Sequence, residues 1–194
     1  MGYLVAADSP GKDRTRAALI ELGGAAAKRH GFAALGVDAI AKAAGFTSGA
    51  VYKNFKDKSA LLKEIVRSEL SSAASSLEPD TPGDTTYLSA WLDDYLSVRH
   101  VQHPEIGALL PALGSEIARA SKDIRAEYET QLLALADALL KSVKTQDQAW
   151  VILSTCAGAV MLARGVVDDD LCKQMLEAAR QHLQATVIEP CQKA

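Results

Sequence analysis

The sequence predicts an all-α fold of about nine helices, with an amino-terminal helix-turn-helix unit ahead of a larger helical body. Three observations carry that expectation. Apolar residues recur at three- and four-residue intervals along most of the chain, and no segment alternates apolar and polar residues as a strand would. Val37 to Phe55 reads as two short helices joined by a tight turn, an arrangement that can lay one helix in a DNA groove. Charge is also unevenly placed. Up to Arg67 there are eleven Lys and Arg against six acids, a net +5, so the remainder carries −8 although the whole chain sums to −3. A basic head on an acidic body fits a protein whose head meets phosphates.

The elements follow in order. Residues 1 to 12 read as a flexible arm, and Arg14 to His30 as a helix that stops at Gly31. Gly23 and Gly24 weaken that helix by up to about 1 kcal/mol each relative to Ala, which points to close packing against a neighbour. In the two-helix segment Ile40, Ala44 and Val51 form an apolar seam, and Ala41 lets the helices approach. Gly45 supplies the left-handed turn residue, and Thr47 or Ser48 caps the second helix. Asp57 starts a fourth, longer helix to about Ser75. Turn formers crowd Glu78 to Asp84, marking a loop between head and body. Five helical segments follow: Thr85 to about Val101, Pro104 to about Ala120, Asp123 to about Val143, Asp147 to Val167, and Asp168 to about Val187. The last has three acids in its first turn, favourable to the helix dipole.

At 194 residues, 48% of them hydrophobic, the chain can bury one sizeable core or two modest ones. Cys156, Cys172 and Cys191 are an odd set without CxxC spacing, so a reducing, cytoplasmic setting is expected rather than a disulfide framework or zinc module. The first ten residues lack the features of a signal peptide. The longest apolar stretch, Ala149 to Ala163, is short of the roughly 20 residues that span a bilayer. No phosphate loop, GxSxG or HExxH is present, so neither an enzyme nor a bound cofactor is expected. His100 and His103 beside Glu105 could ligate a metal, but an i, i+3 pair beside Pro104 more commonly sits at a helix end, and no metal is expected.

Arg16 to Val66 resembles the amino-terminal domain of the TetR/AcrR family of transcriptional regulators. The residues that carry the likeness are His30-Gly-Phe32, Val37-Asp-Ala-Ile-Ala41, Ala44-Gly-Phe-Thr-Ser-Gly-Ala-Val-Tyr52, Asn54-Phe55 and Lys58-Ser-Ala-Leu-Leu62. Two departures stand out. Ala27 occupies a place where the family usually has a large aromatic, and Leu35-Gly36 replaces a common Thr-Ser, removing a phosphate-binding hydroxyl. The resemblance implies a DNA-binding domain over residues 13 to 75, an effector-binding and dimerisation domain over 84 to 194, and a homodimer on double-stranded operator DNA.

It also implies roles. Thr47, Ser48, Gly49 and Ala50 are small enough to bring the backbone near base edges, and Lys53 has the reach to read guanine or settle on a phosphate. Tyr52, Asn54 and Lys58 are expected on backbone oxygens. Lys42, Lys56, Arg14 and Arg16 are weaker candidates, while Val51 and Phe55 belong to the core. Trp91, Tyr95, Leu109, Leu113, Ile117, Tyr128 and Leu132 would line a small-molecule pocket, with ordinary core packing the alternative for each. Trp150, Ile152, Ala159, Met161 and Leu162 on one helix, and Leu171, Met175, Leu176, Ala179 and Leu183 on the next, would form a four-helix dimer interface. The alternative for them is an internal helix pair. The resulting expectation is a repressor released by a small molecule. Its rivals are a thiol sensor using Cys156 or Cys172, and an enzyme or carrier that keeps the head as a structural unit.

Overall fold

The computed structural model describes residues 10–78 and 86–188. The sequence expectations for residues 1–9, for most of the loop at 79–85 and for Cys191 lie outside them. Ten α-helices follow one another: α1 (Pro10–His30), α2 (Val37–Ala43), α3 (Ser48–Asn54), α4 (Lys58–Ser76), α5 (Thr86–Tyr95), α6 (Val98–Gln102), α7 (Leu109–Ile117), α8 (Lys122–Leu140), α9 (Gln146–Ala163) and α10 (Asp169–Leu183). A π-helical turn, Gln184–Ile188, extends the last. No strand occurs among the described residues, and no helix there is long and apolar enough to cross a membrane.

Side-chain caps fix several boundaries. The Asp57 carboxylate accepts from the Ala60 amide at 2.8 Å, Asp168 accepts from the Asp170 and Leu171 amides, and Thr145 and Gln148 form a reciprocal capping box on α9. α1 begins at Pro10, inside the stretch expected as an arm. The helix expected from Thr85 to Val101 is two helices, broken at Leu96, because the Ser97 hydroxyl accepts from the His100 amide at 3.1 Å and starts α6 afresh. The helix expected from Pro104 begins only at Leu109. Residues 104–107 form a turn instead, closed by Gly107 N–H donating to the Pro104 carbonyl.

One apolar core runs from Leu19, Ile40, Val51 and Ile65 in the head to Leu88, Leu113, Leu139, Ile152 and Leu183 in the body. α4 belongs to both parts. It packs along α8, and Arg67 makes a two-pronged bond to Glu127 at 2.9 and 2.7 Å across that seam. Gly23 packs closely, as its helix required: a Cβ there would sit 3.0 Å from Ile40 on α2.

Candidate nucleic-acid interface and interior cavity

The turn between α2 and α3 closes through Gly45, whose φ of +77° lies in the left-handed region, and through the Phe46 amide donating to the Ala41 carbonyl at 2.8 Å. Thr47 is the N-cap residue by its extended backbone, yet its side chain caps nothing. Ser48 does not cap either, because its hydroxyl donates to the Asp38 carboxylate and ties α3 to α2. Gly36 begins α2 with no side chain to offer, as the missing hydroxyl in the sequence implied.

The candidate DNA-contacting residues fall into two groups. Thr47, Gly49, Tyr52 and Lys53 are exposed, Tyr52 to 59%, while Ser48 and Ala50 are half-buried beside them. Asn54 and Lys58 are engaged within the fold. Asn54 Nδ2 donates to the Ala50 carbonyl at 2.8 Å, and Lys58 Nζ sits 4.7 Å over the Phe32 ring and 3.4 Å from the Ala33 carbonyl. Arg16 is likewise committed. It reaches the Asn54 carbonyl at 3.1 Å, pairs with Glu64 at 2.9 Å and lies 4.5 Å over Phe55, so it fixes the carboxy end of α3. Val51 and Phe55 are buried.

A half-open cavity of about 550 Å³ lies between α4 and the body helices. Trp91, Tyr95 and Leu109 line it, but Leu113 and Ile117, further along α7, are wholly buried core and do not. Tyr128 and Leu132 face a separate groove of about 390 Å³ between α8 and α9. Leu110 and Leu153 border both spaces. Sequence reasoning missed the wall made by the second half of α4, including Glu69, Leu70 and Leu77, and the wall made by His100 and Cys156. The apolar spacing of Leu70 and Leu77 past the head was the available signal for the first.

Polar groups on these walls are tightly partnered. His100 accepts the Ala108 amide at Nε2 (2.8 Å), so Nδ1 carries the proton and donates to the Tyr95 carbonyl at 2.6 Å. With both nitrogens used, His100 cannot ligate a metal, and burial lowers its pKa despite the Tyr95 carbonyl. Its ring fills the space where a Cβ on residue 107 would fall, 2.3 Å away, which is why Gly107 stands there. Tyr95 meets the His100 ring edge-on at 4.6 Å and Trp91 at 4.8 Å. Burial pushes the Tyr95 hydroxyl far up and the Cys156 thiol up to about 12.

Two ties join head to cavity wall. Lys28 of α1, its side chain 6% exposed, pairs with Glu69 at 2.8 Å and donates to the Gly107 carbonyl at 2.9 Å; both acceptor residues line the cavity. Glu116, at the far end of α7, accepts from the Phe32 and Ala33 amides at 3.1 and 2.6 Å, just ahead of α2. Leu109 and Leu110, at the start of the same helix, touch the cavity.

On α9 and α10 the candidate interface residues also divide. Ile152, Leu176 and Leu183 are buried within the protomer. Their inward position follows from helical spacing, which sends them to the face opposite the exposed Val151, Met161, Leu162 and Leu171. Trp150, Ala159, Met175 and Ala179 are half-buried between the two faces.

Residues 19–65 match the family model of bacterial regulatory proteins, tetR family. No curated protein sequence matches the chain. Several solved structures share its fold. Reduced NemR from E. coli superposes with a TM-score of 0.71 at 21% identity, covering 90% of this chain and 97% of its own. A TetR-family transcriptional regulator from Agrobacterium tumefaciens gives 0.69 at 16% identity, covering 88% and 98%. SmeT, the repressor of the Stenotrophomonas maltophilia multidrug efflux pump SmeDEF, gives 0.60 at 21% identity, covering 91% and 92%. Residues 19–65 therefore carry the amino-terminal domain of bacterial regulatory proteins of the tetR family, and the chain as a whole shares the fold of these structures.

Proposed function

We propose that the protein is a ligand-responsive repressor that binds a palindromic operator as a homodimer and is released when a small molecule occupies the cavity. The observation that carries this reading is the pair of ties from Lys28 and Glu116, which join the head to the cavity wall and to the helix that borders it. Two heads bind one operator together only when their α3 helices stand about 34 to 36 Å apart or a near multiple. A cavity occupant that shifts Glu69, Gly107 or α7 alters that spacing, and a coupling of about 1 to 3 kcal/mol lowers affinity roughly 5 to 150-fold. The exposed stripe of Val151, Met161, Leu162 and Leu171 supports pairing of α9 and α10 with their symmetry mates.

Fluorescence anisotropy on duplexes from either side of the protein's own gene tests the DNA side. Joint Tyr52→Phe and Lys53→Gln changes are expected to weaken binding about tenfold or more and to flatten its salt dependence, with the sedimenting mass unchanged. Wild-type affinity in that variant would reject the α3 assignment. The thiol-sensor reading draws no support from the surroundings of the cysteines. Cys156 is buried with its thiol held protonated, and Cys172 is buried too, whereas a reactive thiol needs access and a lowered pKa.

A further inference from the structure

We infer that the cavity takes an organic anion, an apolar body carrying a carboxylate, sulfonate or similar group, with the anionic end directed towards Tyr95, His100 and Arg164. The inference rests on the reading of the cavity as the effector site.

Arg164 is a half-buried cation without a counter-charge. Arg164 closes α9 and turns its guanidinium in behind the cavity wall formed by Tyr95, His100 and Gly107. Nη2 donates to the His100 carbonyl at 3.0 Å, but Nε and Nη1 are buried without any partner. Among the described residues no carboxylate lies within ion-pair distance of Arg164. Burial lowers its pKa, the mark of a charge held in poor surroundings. An unpaired buried charge is costly, and the cost is relieved by an anion nearby.

The charged residues that line the cavity do not supply that anion. Glu69 is already neutralised by Lys28 at 2.8 Å. Asp94 is 81% exposed at the rim, where it faces Arg99 at 4.0 Å. The charged lining residues Glu69, Asp94 and Arg99 are thus balanced once Lys28 is counted with Glu69, which leaves Arg164, behind the wall, as the positive charge without a counter-charge. The remaining surface suits the rest of the ligand. Trp91 and Tyr95 form an aromatic shelf, with Leu70, Leu109 and Leu153 around it. The Tyr95 hydroxyl stays protonated, so it is a donor at the same end that Arg164 makes positive.

The test compares two fluorescent probes of one skeleton, anilinonaphthalene sulfonate and its uncharged parent phenylnaphthylamine, in titrations of the whole protein. The sulfonate is expected to bind at least about tenfold more tightly, equivalent to about 1.4 kcal/mol. Arg164→Gln should abolish that preference while leaving phenylnaphthylamine affinity as it was. Equal affinities for the two probes in the native protein, or a preference that survives Arg164→Gln, would overturn the inference. If Arg164→Gln does not fold, competition in the unaltered protein decides: decanoate should displace phenylnaphthylamine at about tenfold lower concentration than decanol, and equal displacement overturns the inference. Ala73→Trp, which fills the cavity from α4, separates the two readings. Loss of both probes without charge preference sinks only the anion assignment, whereas unchanged binding of both sinks the cavity as a ligand site as well.

Discussion

The head and the body handle charge in opposite ways. On α2 and α3 the basic side chains Lys42 and Lys53 point into solvent, with Lys56 exposed just beyond, where their charges add to the field over that surface. Around the cavity, where α1 and α4 of the head meet the body, the charged groups that matter turn inward. Lys28, Glu69 and Arg164 are held against carbonyls, each other or nothing. A surface charge can be exchanged with little effect on folding. A buried one is bound to its partner, because losing either leaves the other stranded. The exposed bases of α2 and α3 can therefore be exchanged at little cost in stability, whereas the buried groups around the cavity cannot.

That contrast can be broken most directly at Lys28. Lys28→Met is expected to lower stability by about 3 kcal/mol, the low end for a broken buried pair because Glu69 keeps some solvent contact. Urea unfolding measures it, and a loss near zero would mean that the tie behaves like a surface pair. Next is Glu116→Ala, expected to cost about 1 kcal/mol by leaving the part-buried Phe32 amide without its acceptor, while the exposed Ala33 amide returns to water. Hydrogen exchange at Phe32 and Ala33 should speed up in that variant while exchange along α9 does not.

Arg67→Gln sharpens the comparison from the other side. Its bond to Glu127 has two good prongs, but Arg67 is half exposed, so a loss of at most about 1 kcal/mol is expected, shrinking further in high salt. The smallest signal should appear on acidification. Because burial lowers the pKa of His100, the unfolded chain takes up a proton first as pH falls below about 6.5. Stability is fully present above that value and is lost as pH falls through the window below it. Urea midpoints at pH 8 and pH 5.5 should differ less in His100→Gln than in the native protein.

The head was legible in the sequence because its geometry is local. Gly45, the Asp57 cap and the Ile40, Ala44 and Val51 seam lie within a few residues of what they determine, so their spacing alone specifies the turn and the helix starts. Ser48 escaped because its partner, Asp38, sits on the other helix. The body's helices were legible as periodic segments, but the break after Tyr95 was not. The Ser97 cap that starts α6 is a local signal that was passed over, but the His100 ring that spans from the Tyr95 carbonyl to the Ala108 amide forms a bridge that exists only once the chain has folded back. The cavity was half legible for a related reason. Helical spacing tells which face of α7 turns inward, but an inward face can meet packed atoms, as Leu113 does, or empty space, as Leu109 does.

α4 runs for 19 residues, about 28 Å of continuous helix, from the Asp57 cap beneath the head to the cavity wall at Leu77. Anyone splicing this protein to a relative to swap operator preference should therefore place the seam at the turn before Lys58. A hybrid joined after Ser76 would import a foreign half of the chamber together with its new head.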